Sequence, residues 1–177
     1  MKKLLFFIAI MCCVATYAQN LTLNELISLR KMDIEQVEDF LTKKGWKFKD
    51  VTTPEEGSLG MLSFVYNSNS DFDYAESFLR YYFGEYGQEN RIWIQISRQS
   101  KYSEYLQGVK KFGKGPYTMA DNGNLKKIYS GATTAFEFTT TTASNKYGDT
   151  GSVWYLLIVE NSDYVNNLIN VAEEEEE

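Results

Sequence analysis

Between residues 46 and 97 lie four short strand-like runs separated by turn-forming residues, the first and last alternating apolar with polar side chains and the second more apolar. A period of two buries one face of a pleated ribbon, so this pattern commits the chain to an antiparallel meander. The runs are 46–51, 59–66, 75–83 and 91–97, with turns at 54–57, 67–73 and 84–90. In the last run Ile92, Ile94 and Ile96 share one face and Trp93, Gln95 and Ser97 the other.

Two short helices are expected ahead of the meander. Leu23, Leu26, Ile27 and Arg30 recur at helical spacing, and Thr22 followed by Glu25 is a capping-box pattern. Asp33 signals a second start, Ile34, Val37, Phe40 and Leu41 fall on one face, and Gly45 is a natural stop. The order then begins again. Residues 101–112 read as a helix with Tyr102, Tyr105, Leu106 and Val109 on one face, ending at Gly113. Strands are expected at 117–120, 125–129, 133–142 and 152–160, with a turn at 121–124 and a loop at 144–151. An amphipathic piece at 164–171 precedes five glutamates.

The halves align. A shift of 68 places Ile34 on Tyr102, Val37 on Tyr105, Leu41 on Val109 and Gly45 on Gly113; a shift of 63 places Val65-Tyr66 on Ile128-Tyr129; a shift of 61 places Ile92-Trp93 on Val153-Trp154. The expected fold class is therefore α+β, short helices packed on antiparallel sheet, as a tandem repeat of an α-β4 unit. The expected divisions are 1–18 as a leader, 19–98 and 99–172 as the two units, and 173–177 as an acidic frayed tail. A helix pair leading into a four-stranded sheet, twice over, resembles the architecture of the β-lactamase inhibitory protein family. The chain differs from that family in lacking its cysteines. The resemblance implies only that an aromatic-rich sheet can bind another protein.

The first 18 residues have another character. Lys2 and Lys3 form a basic start, residues 4–14 an apolar run too short to span a bilayer, and Thr16-Tyr17-Ala18 ends on a small residue. This predicts a cleavable secretory signal, cut near Ala18, and an exported protein, periplasmic or extracellular, without a stable membrane anchor. Ala9-Ile10-Met11 makes a poor lipobox for Cys12 or Cys13. Cleavage removes both cysteines, and with Lys2 and Lys3 gone the net charge of −6 becomes −8. Stability then has to come from packing alone. The acidic balance argues against a nucleic-acid partner, whose phosphates must be met by Lys and Arg.

With no His anywhere, and no Cys after residue 18, triad nucleophiles and His/Cys zinc sites are closed. The reading leans away from an enzyme and expects no cofactor. A carboxylate-dependent glycan hydrolase is kept as the alternative, and a structural accessory of an envelope assembly as a third reading. Asn67, Asn69, Asp71 and Asp73 place oxygen ligands at alternate positions, a weak calcium candidate, but the spacing then puts Phe72 and Phe78 where a calcium loop needs Gly and Glu. The bland alternative is an ordinary strand connection. Glu173 to Glu177 repel one another and read as a frayed end, and Gly113-Lys114-Gly115 reads as a helix stop.

The aromatics carry the functional expectation. Phe78, Arg80 and Tyr82 point one way along their strand and Leu79, Tyr81 and Phe83 the other, so both faces of the sheet bear large rings. Either a second layer covers both faces, or one face docks a protein or glycan partner through Phe78, Tyr82 and Trp93. Trp93, alternating with Gln95 and Ser97, is expected to be the more exposed tryptophan. Trp154, sharing its face with Leu156 and Ile158, is expected to be buried.

Overall fold

A computed structural model describes residues 20–55, 57–70, 72, 74–84, 90–144 and 150–164. The leader, Asp71, Asp73 and the Glu173–Glu177 run lie outside the described residues, as does all of the 164–171 piece except Tyr164. The element order is α1 (Leu23–Leu29), α2 (Ile34–Lys43), β1 (Trp46–Thr52), β2 (Gly60–Ser68), β3 (Ala75–Phe83), β4 (Arg91–Ile96), α3 (Gln99–Val109), β5 (Lys114–Asp121), β6 (Asn124–Ser130), β7 (Thr134–Ser144), β8 (Thr150–Glu160) and α4 (Asn161–Tyr164). The fold is α+β.

Capping sets the helix starts. The Thr22 hydroxyl accepts from the Glu25 amide at 3.2 Å while the Glu25 carboxylate accepts from the Thr22 amide at 2.8 Å. Asp33 and Gln36 repeat this reciprocal arrangement on α2. The charge of Lys44, which bonds Glu25 at 2.6 Å, and the Thr22 bonds hold the Glu25 carboxyl below its ordinary pKa, although burial alone would raise it. At the C-terminus of α2, Gly45 sits at φ 81.

The eight strands form one antiparallel sheet in the order β1-β2-β3-β4-β8-β7-β6-β5. Two four-stranded meanders therefore meet edge to edge through β4 and β8, with β1 and β5 at the outer edges. One face carries the core: Leu62, Phe64, Leu79, Tyr81, Ile92, Ile94, Phe136, Phe138, Leu156 and Ile158 pack with Leu26, Leu29, Val37, Leu41, Tyr105 and Val109 of the first three helices. Each such side chain taken out of water stabilises the fold by about 1.5–3 kcal/mol before entropy is counted. The Tyr105 hydroxyl donates to the Leu21 carbonyl at 2.8 Å and Tyr81 to the Met32 carbonyl at 2.7 Å, so both buried phenols are satisfied.

Three expectations are corrected. β5 runs from Lys114, three residues before the expected start, through Gly115-Pro116. Pro cannot donate to a ladder, but β5 is an edge strand and its register with β6 slips between Lys114 and Tyr117, which accommodates it. The 61-residue shift also fails. Trp93 pairs with Leu157 and Trp154 with Ile96, so the two tryptophans lie on opposite faces. An odd step along a pleated strand reverses every side chain. Trp154 stacks on Tyr102 at 5.4 Å against the core, yet it is half-buried rather than buried, and Trp93 is half-buried too.

Candidate functional site: the sheet face opposite the three long helices

Cross-strand pairing places Arg80, Trp93, Leu157, Glu137 and Ile128 in one row over five adjacent strands, all facing away from α1, α2 and α3. Among the described residues only α4 packs on this face, where Tyr164 closes a small cluster with Ala135 and Val159 beside Leu157 and Ile128. The rest, centred on β3 and β4, has no second layer among those residues.

At its centre lies Trp93. Its ring stacks on Tyr155 with centroids 4.8 Å apart and planes 21° off parallel, and the Arg80 guanidinium sits 4.8 Å from the Trp93 centroid. Rings so arranged gain from offset stacking, and a cation over the indole face adds attraction. Phe78, two residues before Arg80 on β3, lies under the Lys49 ammonium at 5.1 Å. The β1–β2 register shifts between Phe48 and Asp50, placing Lys49 at the irregularity. Tyr82 pairs with Arg91 on β4. Phe78, Tyr82 and Trp93 thus share one face, and all three are half-buried.

The carboxylates of this face are held by neighbours. Asp163 receives Arg91 through two contacts of 2.7 and 2.9 Å. Glu137 accepts from the Tyr164 hydroxyl at 2.8 Å and from Thr139 at 3.1 Å. Burial, and then the nearby Glu137 charge, pushes the Tyr164 phenol well above its ordinary pKa. Burial alone would lower Lys126, but the bond to Asp121 at 2.7 Å and the charges of Glu137 and Asp121 outweigh it and keep this ammonium above its ordinary pKa. On the helix side, Asp33 and Glu35 border a hollow of about 430 Å³, where the Asp33 carboxylate is engaged in capping α2.

The alternating Asn and Asp residues act as local structure where they are described. Asn69 accepts the Tyr74 amide at 3.2 Å, and Asn67 donates to Glu76 at 3.0 Å. Asp71 and Asp73, the other half of the calcium candidate, lie outside the described residues. Among the described residues no three His, Cys, Asp or Glu side chains gather in a way that suits a metal ion. Sequence reasoning passed over Tyr155 and Arg80 as site members, although both share the alternation phase that puts Trp93 on this face. Glu76, close behind the calcium candidate in sequence, takes its partners Asn67 and Arg98 from separate elements. Among the described residues no helix is long and apolar enough to cross a membrane. Comparison with protein-family models, with curated proteins and with solved structures finds no match to this chain.

Proposed function

We propose that this is an exported, non-enzymatic binding protein that docks a protein or glycan partner through the sheet face around Phe78, Tyr82 and Trp93. The observation that carries the reading is the Trp93 ring, half-buried between Arg80 and Tyr155 on the part of the face that α4 leaves uncovered among the described residues. Trp, Tyr and Arg are the side chains that most often anchor interfaces, Trp and Tyr because each offers large contact area at small entropic cost. The tethered carboxylates of the same face favour binding over hydrolysis: Asp163 and Glu137 accept structural bonds and are not set as an acid–base pair across a cleft.

The chain reads further as a tandem repeat. Supporting this are the palindromic strand order and the matched burial of Val37 with Tyr105 and of Leu41 with Val109. Tyr66 on β2 and Tyr129 on β6 also match, both packed into the helix-side core. A circular permutant opened between β4 and α3 is expected to keep cooperative unfolding; loss of cooperativity argues against equivalent units.

The experiment that tests the binding role uses the exported protein, whose N-terminus mass spectrometry should place near Gln19. The protein and its Trp93→Ala variant are immobilised and exposed to surface proteins and polysaccharides of the producing cell. A component retained by the first and released by the second supports the reading. Equal retention on both, or none on either, defeats it.

A further inference from the structure

Where β2, β3 and β4 meet the start of α3, the open face ends in a cleft of about 440 Å³ bordered by Asn67, Tyr74, Glu76, Gln95 and Arg98. Glu76 organises it. Its side chain is only 12% exposed, and its two oxygens serve two elements: one accepts from the Asn67 Nδ2 of β2 at 3.0 Å, the other lies 3.2 Å from the Arg98 Nη2 at the N-cap of α3. The bond to Asn67 orients that residue's amide plane, while the Arg98 contact is an ion pair in which Glu76 Oε1 accepts no hydrogen bond among the described residues. The Asn67 carbonyl oxygen is left as an acceptor, and the other Arg98 N–H groups as donors, on the wall of the cleft. At the rim Tyr74 is 64% exposed, second among the large apolar side chains of the described residues.

Asn67 holds this position against a backbone preference. It sits within β2 at φ 48, between the pairs Tyr66–Ser77 and Ser68–Ala75. A non-glycine strand residue in the left-handed region carries a conformational cost, and such positions cluster where a side chain must be aimed.

We infer that this cleft binds a neutral saccharide against the exposed Tyr74 ring and that the sheet face beside it, along Gln95 and Tyr155, carries the next sugar units. A pyranose offers hydroxyls that both donate and accept around its rim and a patch of C–H groups on its face. A matching site therefore needs planar donors and acceptors fixed in place next to an exposed aromatic ring. The cleft has both. Among the described residues that border the cleft the Glu76 and Arg98 charges cancel, which fits a neutral ligand better than a charged one. The two parts are continuous: Gln95 borders the cleft and pairs with Tyr155, while Phe78 follows Glu76 on the same face of β3. The inference rests on the docking role of this face and names its ligand class.

The test is calorimetric titration of the full exported protein with hexamers of β-1,4-glucose, β-1,4-N-acetylglucosamine, β-1,4-xylose and α-1,4-glucose, and with an acidic decapeptide as a protein-like probe. One hexamer is expected to bind. Tyr74→Ala, which removes an exposed ring, and Asn67→Gly, which keeps the left-handed backbone while removing the amide, should each weaken it about tenfold or more. Tyr117→Ala, on the far edge strand β5, should leave it unchanged. The inference falls if no hexamer binds, if both cleft variants bind as the parent does, or if only the acidic peptide binds. Loss of partner retention in Trp93→Ala with no hexamer bound would overturn the saccharide assignment alone and leave the docking role standing.

Discussion

Arg91 of β4 and Asp163 of α4 form a two-pronged ion pair, Nε to Oδ2 at 2.7 Å and Nη2 to Oδ1 at 2.9 Å, with the Asp163 side chain 3% exposed. Since β4 is also the strand that joins the two meanders, this pair fastens the C-terminal end of β8 to the seam of the sheet. Removing one member leaves the other charge poorly solvated. Asp163→Asn is expected to destabilise the fold by about 3 kcal/mol, measured by denaturant unfolding, and Arg91→Ala by a similar amount. A change within the range of surface substitutions would show that α4 is not held by this pair.

Trp93→Ala separates an anchor from a core residue. Its ring is half-buried, so truncation is expected to cost less than about 2 kcal/mol of stability, whereas Phe138→Ala, fully buried against Tyr102 and Tyr129, should cost about 3–5 kcal/mol. Equal losses in thermal unfolding would make Trp93 a structural residue and remove the chief support for a docking role.

The strand phases of β3, β4 and β8 were legible because alternation is local: Leu79, Tyr81 and Phe83 fall on the core side as the pattern requires, and Phe78, Arg80 and Tyr82 opposite. Helix starts were legible for the same reason, since a cap is decided within four residues. What could not be read was anything fixed by partners distant in sequence. Nothing near Trp93 or Trp154 states that their strands pair, although local alternation already set Trp93 opposite the isoleucine face and Trp154 on the Leu156–Ile158 face, against the 61-residue shift. The Glu76 cleft was hidden likewise, its members coming from β2, β3 and the entry to α3. That the open face lacks a second layer among the described residues depends on where three helices dock, which no single segment encodes.

Gly113 illustrates a residue whose identity was legible and whose reason was not. It aligns with Gly45 and reads as the same kind of helix stop. Only Gly45 lies at positive φ, however; a side chain at Gly113 would run into the backbone of Ser130 and Gly131. Gly113→Ala is therefore expected to cost about 2 kcal/mol by overpacking, with the strain falling on the β5–β6 ladder. Hydrogen exchange of the β6 amides should speed up in this variant and stay unchanged in Gly45→Ala. Equal exchange in both would place the two glycines in one role.

Alkaline pH should unfold this protein through its buried phenols. Burial, and then the charge of Asp33, raises Tyr81 from its ordinary value of 10.0 to about 12, and burial pushes Tyr105, Tyr129 and Tyr164 upward as well. The favoured form in the fold is the neutral phenol, so the stabilisation is complete below pH 10 and is lost as pH rises from there through 12. Each unit in that window removes up to about 1.4 kcal/mol per fully buried tyrosine. Tyr81→Phe should cost about 1 kcal/mol at neutral pH, because the bond to the Met32 carbonyl is lost, and should then show a shallower decline above pH 10 than the parent. Denaturant midpoints measured across that range, with phenolate absorbance followed in parallel, check both parts. Parallel declines in the two proteins would mean that Tyr81 ionises as freely in the fold as in the unfolded chain.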